Sequence, residues 1–136
     1  MIRVVDTSVA VRWFAPDGDA SDAVADRILA RVVSHPNKHV VPELFGYELL
    51  AVLGRRLADA SAVTRAMRRL DRLAMRRVRQ DPLLVEATAR LALRHRLTGY
   101  DAAYLAVAEA LGGRWVTLDA AAHRRASRTG LVELAA

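Results

Sequence analysis

Residues 99–119 read GYDAAYLAVAEALGGRWVTLD, and this stretch decides the fold. Its apolar residues at helical spacing predict a helix, Gly112 and Gly113 predict the end of that helix, and WVT predicts a short buried strand. A helix that leads straight into a strand is the repeating unit of α/β folds. The unit carries an aspartate at each end: Asp101 opens the helix and Asp119 follows the strand.

The rest of the chain repeats this alternation of short strands and helices. Further strands are predicted at IRVVD (2–6), HVVP (39–42), RRVRQ (76–80) and LVEL (131–134). Further helices are predicted at TSVAVRWF (7–14), DASDAVADRILARVVS (19–34), ELFGYELLAVLGRRL (43–57), SAVTRAMRRLDRLAM (61–75), LLVEATARLALRHRL (83–97) and AAAHRRASR (120–128). Pro42 is placed in the first turn of the third of these helices. RRVRQ is the weakest strand, because three arginines in five residues suit a buried strand poorly.

This alternation predicts a three-layer α/β/α sandwich around a short parallel sheet with right-handed crossovers. No linker, repeat or low-complexity segment interrupts the chain, so we expect a single domain over residues 1–136. Two consecutive helices separate the second strand from the third, which suggests a helical hairpin at that point.

Composition indicates a compact globular protein. Hydrophobic residues make up 53% of the 136 residues and charged residues 26%. No stretch approaches the roughly 20 apolar residues that a membrane span needs. The N-terminus lacks the features of a secretory signal, and the chain has no cysteine. We therefore expect a cytoplasmic protein that does not associate with membranes.

The formal net charge is +6, from 20 arginines and the single lysine Lys38 set against 15 acidic residues. Such an excess favours a polyanionic partner such as nucleic acid. An alanine- and arginine-rich chain can also reflect codon bias, with the arginines solvating helices. Both interpretations stay open at this point.

Four acidic residues form the candidate site. Asp6 and Asp119 each follow a predicted strand, and ligands of parallel sheets bind beyond the carboxyl ends of the strands. For either aspartate alone, a helix N-cap is the simpler role. Asp101, in the first turn of its helix, also has an alternative explanation in the helix dipole.

Glu48 has no such alternative. Its helical neighbours three and four residues away are apolar, so its carboxylate emerges from the face that packs on the sheet. Burial there costs several kcal/mol unless the carboxylate is paired, protonated or bound to a metal ion. Glu43 lies about 140° around the helix in the first turn, where the helix dipole suffices to explain it. Glu48 is therefore preferred to Glu43.

A divalent cation would offset the repulsion among these four acids. Oxygen ligands without cysteine, and histidines without metal-binding spacing, favour Mg²⁺ or Mn²⁺ over zinc. Such an ion lowers the pKa of a bound water and stabilises charge on phosphoryl oxygens. Hydrolysis of a phosphodiester is the chemistry that this site predicts.

Four segments together resemble the PIN domain family, and most closely its VapC-type toxins from prokaryotic toxin–antitoxin pairs. They are VVDTSVAVRWF (4–14), VPELFGYELLAVL (41–53), LTGYDAAYLAVAEALGG (97–113) and WVTLD (115–119). They occur in the family's order over nearly the whole chain. Each alone is weak, and the ordered set is specific, above all DAAYLA at 101–106.

The resemblance implies that Asp6, Glu48, Asp101 and Asp119 are the catalytic and metal-binding acids, with Ser8 and Thr117 as auxiliary hydroxyl residues. It implies a sheet of strand order 3-2-1-4-5 and Mg²⁺- or Mn²⁺-dependent cleavage of single-stranded or structured RNA. It also implies a homodimer inhibited by a small antitoxin protein, in a heterotetramer or larger assembly.

The chain departs from the family at two positions. Ala51 stands where many relatives have asparagine, and AAAHRR at 120–125 stands where many have a further acid. Asp119 is accordingly expected to hold a water or a second ion rather than to act as a primary ligand.

A basic stripe follows the predicted helix over residues 61–75. Its members recur at three- and four-residue spacings and are Arg65, Arg68, Arg69, Arg72 and Arg76. The stripe could bind RNA phosphates or the acidic part of a partner. A solvated helix face is the plainer interpretation.

The leading hypothesis is a metal-dependent endoribonuclease acting as the toxin of a type II toxin–antitoxin system. A housekeeping ribonuclease of the same fold is one alternative. A catalytically silent module that binds RNA or a partner is another, although all four acids are present. An aspartyl phosphatase would usually carry a second aspartate two positions after Asp6, where Ser8 stands.

Overall fold

The computed structural model describes all 136 residues of the chain. The five strands are β1 Arg3–Val5, β2 His39–Pro42, β3 Arg76–Val78, β4 Arg114–Thr117 and β5 Val132–Leu134. The seven α-helices are α1 Thr7–Phe14, α2 Ala20–Ser34, α3 Phe45–Leu57, α4 Ala60–Arg72, α5 Pro82–His95, α6 Gly99–Leu111 and α7 Ala120–Ala126. Short 3-10 turns lie at Pro36–Lys38 and Ser127–Thr129.

All five strands pair in parallel in the order β3-β2-β1-β4-β5, as predicted. β1 lies at the centre, where Val4 pairs with Val40 on one side and Trp115 on the other. The α/β fold class and the strand order are therefore confirmed. Gly113 allows β4 to lie close to β1, because a side chain there would collide with the backbone of Ile2.

Differences in burial explain why the central strands are apolar and the edge strand β3 is not. Val4, Val5, Val40 and Trp115 are completely buried, as strands covered on both faces require. β3 pairs only with β2, so it is an edge strand. Its position at the edge lets Arg76 and Arg77 stay exposed, which is why RRV can form a strand despite its charge.

Several predicted bounds differ from the structure by one to three residues, and two differences affect residues discussed above. Pro42 is the last residue of β2 rather than part of a helix, and α3 begins at Phe45. Glu43 therefore lies before the helix, where its backbone N–H donates to Val78 O at 3.0 Å and extends the pairing with β3. The helix dipole consequently does not explain Glu43.

The second wrong boundary is the end of α4. The helix ends at Arg72, two residues before Ala74, which has a left-handed φ of 57°. The chain then turns into β3, so Arg76 belongs to that strand and not to the basic stripe on α4.

Helices α3 and α4, which lie between β2 and β3 along the chain, pack against each other as a hairpin would. None of the helices combines the length and the apolar character that a membrane crossing requires.

Candidate functional site

The four candidate acids lie at the carboxyl edge of the sheet. Asp6 directly follows β1, and Asp119 comes two residues after the end of the neighbouring strand β4. Each is also an N-cap: the Asp6 carboxylate accepts from the Ser8 backbone N–H, and the Asp119 carboxylate from those of Ala121 and Ala122. Helix capping is thus the local cause that holds both side chains at this edge. We call Asp6, Glu48, Asp101 and Asp119 the acid cluster.

Asp6 is the most buried member, with 7% of its surface exposed. Its Oδ1 accepts from the Trp115 indole N–H at 3.1 Å, and its Oδ2 accepts from the Thr117 hydroxyl and the Ser8 backbone N–H, both at 3.1 Å. Burial raises the pKa of Asp6, and these hydrogen bonds oppose that rise because they favour the charged form. The result is a carboxylate whose orientation is fixed on both oxygens.

Glu48 reaches the cluster from α3. Its Oε1 accepts from the Tyr104 hydroxyl at 2.7 Å and from the Thr7 hydroxyl at 3.4 Å. Burial raises the pKa of Glu48, and the negative charges of Asp6 and Asp101 raise it further. The preference for Glu48 over Glu43 agrees with this placement, because Glu43 is exposed and accepts from the Gln80 backbone N–H instead.

Asp101 lies in the first turn of α6, where the Thr98 hydroxyl caps the helix. Burial raises the pKa of Asp101 to about 6, with the charges of Asp6 and Asp119 adding to the rise. Arg125 acts in the opposite direction and is the basic side chain that moderates the cluster at this point. The helix dipole alone would lower the pKa of an acid at this position, so repulsion and burial dominate.

Ser8 and Thr117 connect Asp6 to the loop that carries Asp119. Thr117 is fully buried, donates to Asp6 and accepts from the Asp119 backbone N–H at 3.0 Å. Ser8 accepts from the Leu118 backbone N–H at 3.0 Å and lies 3.4 Å from the Thr117 hydroxyl oxygen. Both auxiliary residues therefore hold the two strand ends together. Asp119 itself is exposed, and its expected role with a water or a second ion stays a prediction.

The acid cluster is coupled by charge but does not form a closed cage. No three His, Cys, Asp or Glu side chains are arranged so that they could hold a metal ion as they stand. Burial raises the pKa values of Asp6, Glu48 and Asp101, and the negative charges of neighbouring acids add to the rise for Glu48 and Asp101. An all-oxygen donor set of this kind fits a hard divalent cation such as Mg²⁺ or Mn²⁺.

The basic stripe is exposed on α4. Arg65, Arg68, Arg69 and Arg72 all face solvent, and none forms an ion pair within the chain. The Arg69 guanidinium lies over the Phe14 ring, 5.5 Å from its centroid, so part of this side chain is occupied in packing. A role of the stripe in binding stays a prediction.

Two buried aromatic residues that the sequence analysis did not assign to the site form hydrogen bonds with its acids. The rings of Tyr104 and Trp115 are stacked with centroids 6.0 Å apart. Tyr104 donates to Glu48 and Trp115 donates to Asp6. The signal was available in the sequence: a buried tyrosine or tryptophan needs a partner for its polar atom, and both residues lie in apolar segments.

We expect the substitution Tyr104→Phe to raise the pKa of Glu48, because it removes the hydrogen bond that favours the ionised carboxylate. The fold should also lose about 1.5–3 kcal/mol, the usual value of a hydrogen bond to a charged group. Carboxyl NMR titration and thermal melting measure the two effects. Tyr100→Phe is the matched control, since Tyr100 is 64% exposed and its hydroxyl binds no side chain. An unchanged Glu48 titration in Tyr104→Phe would contradict the assignment.

Comparison with known proteins assigns this fold to a family. The family model of the PIN domain matches residues 3–128. The chain belongs to the PIN domain family. The resemblance noted in the sequence is therefore confirmed.

Solved PIN-like structures extend the comparison. The chain is similar to Mycobacterium tuberculosis VapC20, described as a sarcin-ricin loop cleaving toxin, with 26% identity and a TM-score of 0.74. That match covers 98% of this chain and 99% of VapC20. PAE2754 from Pyrobaculum aerophilum shares the fold with a TM-score of 0.70 at 22% identity, over 98% of this chain and 84% of that one. No curated protein sequence matches the chain.

Proposed function

We propose that this PIN domain chain is a metal-dependent endoribonuclease and the toxin of a type II toxin–antitoxin pair. The observation that carries the proposal is the acid cluster itself, in which burial and the charges of Asp6 and Asp119 raise the pKa of Asp101 to about 6. A pocket of mutually repelling carboxylates is unfavourable for folding, and a bound cation would offset that repulsion. The likeness to VapC20, a toxin described as cleaving an RNA loop, supports RNA as the substrate class.

Asp6, Glu48 and Asp101 are the residues that we propose to hold Mg²⁺ or Mn²⁺, with Asp119 contributing through a water or a second ion. When bound, the cation supplies a water of lowered pKa and stabilises charge on the phosphoryl oxygens. Trp115, Thr117 and Ser8 fix both oxygens of Asp6. Tyr104 and Thr7 hold Oε1 of Glu48, which leaves Oε2 free to act as a ligand or to accept a proton.

In this proposal one set of residues orients the carboxylates, and the carboxylates themselves bind the cation. The aromatic pair and the hydroxyl residues keep two carboxylates oriented before the substrate arrives, so little reorganisation is needed during the reaction. Asp101 receives no comparable set of donors and is free to adjust to its ligand. We propose that the phosphodiester of RNA is hydrolysed by water activated at this pocket.

The remaining parts of the proposal follow from the same family. We propose that residues 1–136 form one nuclease domain that acts in the cytoplasm on RNA. We further propose a homodimer inhibited by a cognate small antitoxin, in a heterotetramer or a larger complex. A housekeeping ribonuclease of the same fold would have the same site and would lack the inhibitor.

Glu48→Gln is the experiment that tests the proposed function most directly. We expect Mn²⁺-dependent cleavage of RNA to fall at least about 100-fold, because a neutral amide replaces a charged ligand without a change of shape. Growth arrest on expression in a bacterial host should disappear with it. Cleavage is measured on a labelled RNA pool with the purified full chain.

Glu43→Gln is the matched control, because Glu43 is an exposed carboxylate five positions before Glu48 in the chain. Its variant should cleave RNA at the rate of the natural chain. Full activity in Glu48→Gln would refute the site. Cleavage by the natural chain without any growth arrest would favour the housekeeping alternative, and binding of RNA without cleavage would favour the silent module.

A further inference from the structure

A second basic surface, separate from the stripe on α4, lies between α5, α6, α7 and the 3-10 turn that follows α7. These elements enclose a groove of about 580 Å³. Five arginines line it together with a single carboxylate, and these residues are Arg90, Arg94, Arg96, Arg125, Arg128 and Glu109. We call this surface the arginine groove.

Most arginines of the arginine groove form no ion pair within the chain. Arg90 pairs with Glu109 at 2.6 Å, and the other four arginines have no carboxylate within ion-pair distance. Arg94 and Arg125 lie in the last turns of α5 and α7, where helix dipoles help to tolerate positive charge. The groove therefore keeps a net charge of +4, and Arg125, one of its arginines, also acts on the charge of Asp101.

Arg96 contributes its charge to the groove from the end of α5. It is the C-cap of α5 and adopts a left-handed backbone with φ of 54°, a conformation that glycine adopts at no cost. An arginine there costs about 1–2 kcal/mol in backbone strain.

Two helices connect the arginine groove to the acid cluster. α6 carries Asp101 in its first turn and Glu109 eight residues later, about 12 Å along the helix axis. α7 begins after its cap Asp119 and carries Arg125 in its last turn. A polymer that lies in the groove can therefore extend along these helices to the acids.

We propose that the arginine groove binds the phosphate backbone of the RNA whose phosphodiester is cleaved at the acid cluster. This inference rests on the proposed function and assigns the substrate a path across the surface. Arginine forms bidentate hydrogen bonds with phosphate oxygens, and phosphate contacts position a nucleic acid without reading its sequence.

The lining of the groove favours RNA over a protein partner. Only two of its ten residues are hydrophobic, and one of them, Leu91, is almost fully buried. Protein interfaces usually have an apolar centre that contributes much of the binding energy. A groove without that centre suits a polyanion held by charge.

The double variant Arg94→Gln with Arg128→Gln tests the proposal, and Arg27→Gln with Arg31→Gln is the matched control on α2. All four residues are exposed, so the two variants remove the same charge without touching the core. Binding of a labelled single-stranded RNA is measured in EDTA, so that binding is read without cleavage, at several salt concentrations between about 50 and 200 mM.

We expect the groove variant to raise Kd about 10-fold at low salt and to reduce the slope of log K against log salt by about 1.4. The α2 control should change Kd about twofold or less, because Arg27 and Arg31 lie outside the arginine groove. Equal effects of the two variants, an effect of the control alone, or no effect of either would each overturn the proposal. Weakened binding of an acidic peptide with unchanged RNA binding would overturn it too.

Failure of this proposal and failure of the proposed function give different results. If the groove variant binds RNA normally while the natural chain still cleaves RNA, the groove assignment fails and the nuclease stands. If the natural chain binds RNA through the groove and never cleaves it, the groove assignment stands and the nuclease fails. In a cleaving protein the groove variant should raise KM and leave kcat unchanged, since it removes only binding.

Discussion

Asp101→Asn should reduce RNA cleavage about 1,000-fold and should, in chelated protein, stabilise the fold at neutral pH. Both effects have one cause, the raised pKa of this acid. Asparagine keeps the shape of the side chain, and its backbone N–H can still donate to the Thr98 hydroxyl oxygen, but it carries no charge for Asp6 and Asp119 to repel. Loss of function and gain of stability in one substitution distinguish a functional acid from a structural one.

The pH dependence of stability follows from the same pKa. The pKa of Asp101 rises from 3.8 to about 6 on folding, so the folded chain binds more protons than the unfolded chain between these values. Stability contributed by this group is therefore present below about pH 4 and is lost as the pH rises towards 6. Asp101 is partly exposed, so solvent screening reduces the expected loss to roughly 1 kcal/mol.

Thermal melting in EDTA at several pH values measures this loss. The Asp101→Asn variant should melt at a higher temperature than the natural chain above pH 6, and the two should converge near pH 4. Asp26→Asn is the control, an exposed aspartate on α2 away from the cluster, and it should follow the natural chain at every pH. Cleavage by Asp101→Asn at the natural rate, or a lower melting temperature above pH 6, would contradict the role assigned to Asp101.

Most of the fold could be predicted from sequence because its signals are local. Strand β2 and helix α1 have the predicted bounds, since buried β-branched runs and helix caps act over a few residues. Pro42 shows where this fails. Proline suits a first helical turn and also the end of a strand, and only the pairing of Pro42 with Val78 decides between them.

The positions of the acids could be predicted, and the contacts that tune them could not. Strand ends and the apolar stripe of α3 identify Asp6 and Glu48 from sequence alone. That Trp115 donates to Asp6 depends on two residues 109 positions apart being brought together by neighbouring strands. The arginine groove has the same origin, because its residues come from separate elements at the ends of α5 and α7.

Removal of divalent metal should abolish cleavage, and addition of Mn²⁺ should stabilise the natural chain by about 2.7 kcal/mol at 100 times its Kd. The acid cluster explains the size of this response. Its carboxylates repel one another in the chelated protein, and a cation converts that repulsion into attraction. The same titration of Asp101→Asn should give a much smaller rise in melting temperature, whereas Glu43→Gln should respond like the natural chain.

Proton release provides a second measurement of the same event. At pH 6 about half of the Asp101 carboxylates are protonated, so Mn²⁺ binding should release about half a proton from this residue, and close to none at pH 8. Calorimetric titrations in two buffers of different ionisation enthalpy report that release. RNA cleavage that persists in EDTA, or Mn²⁺ binding that releases no proton at pH 6, would mean that the acids do not act together on a cation. The excess negative charge at the end of the sheet would then need another partner, and the basic side chain nearest at hand is Arg125, which already lowers the pKa of Asp101.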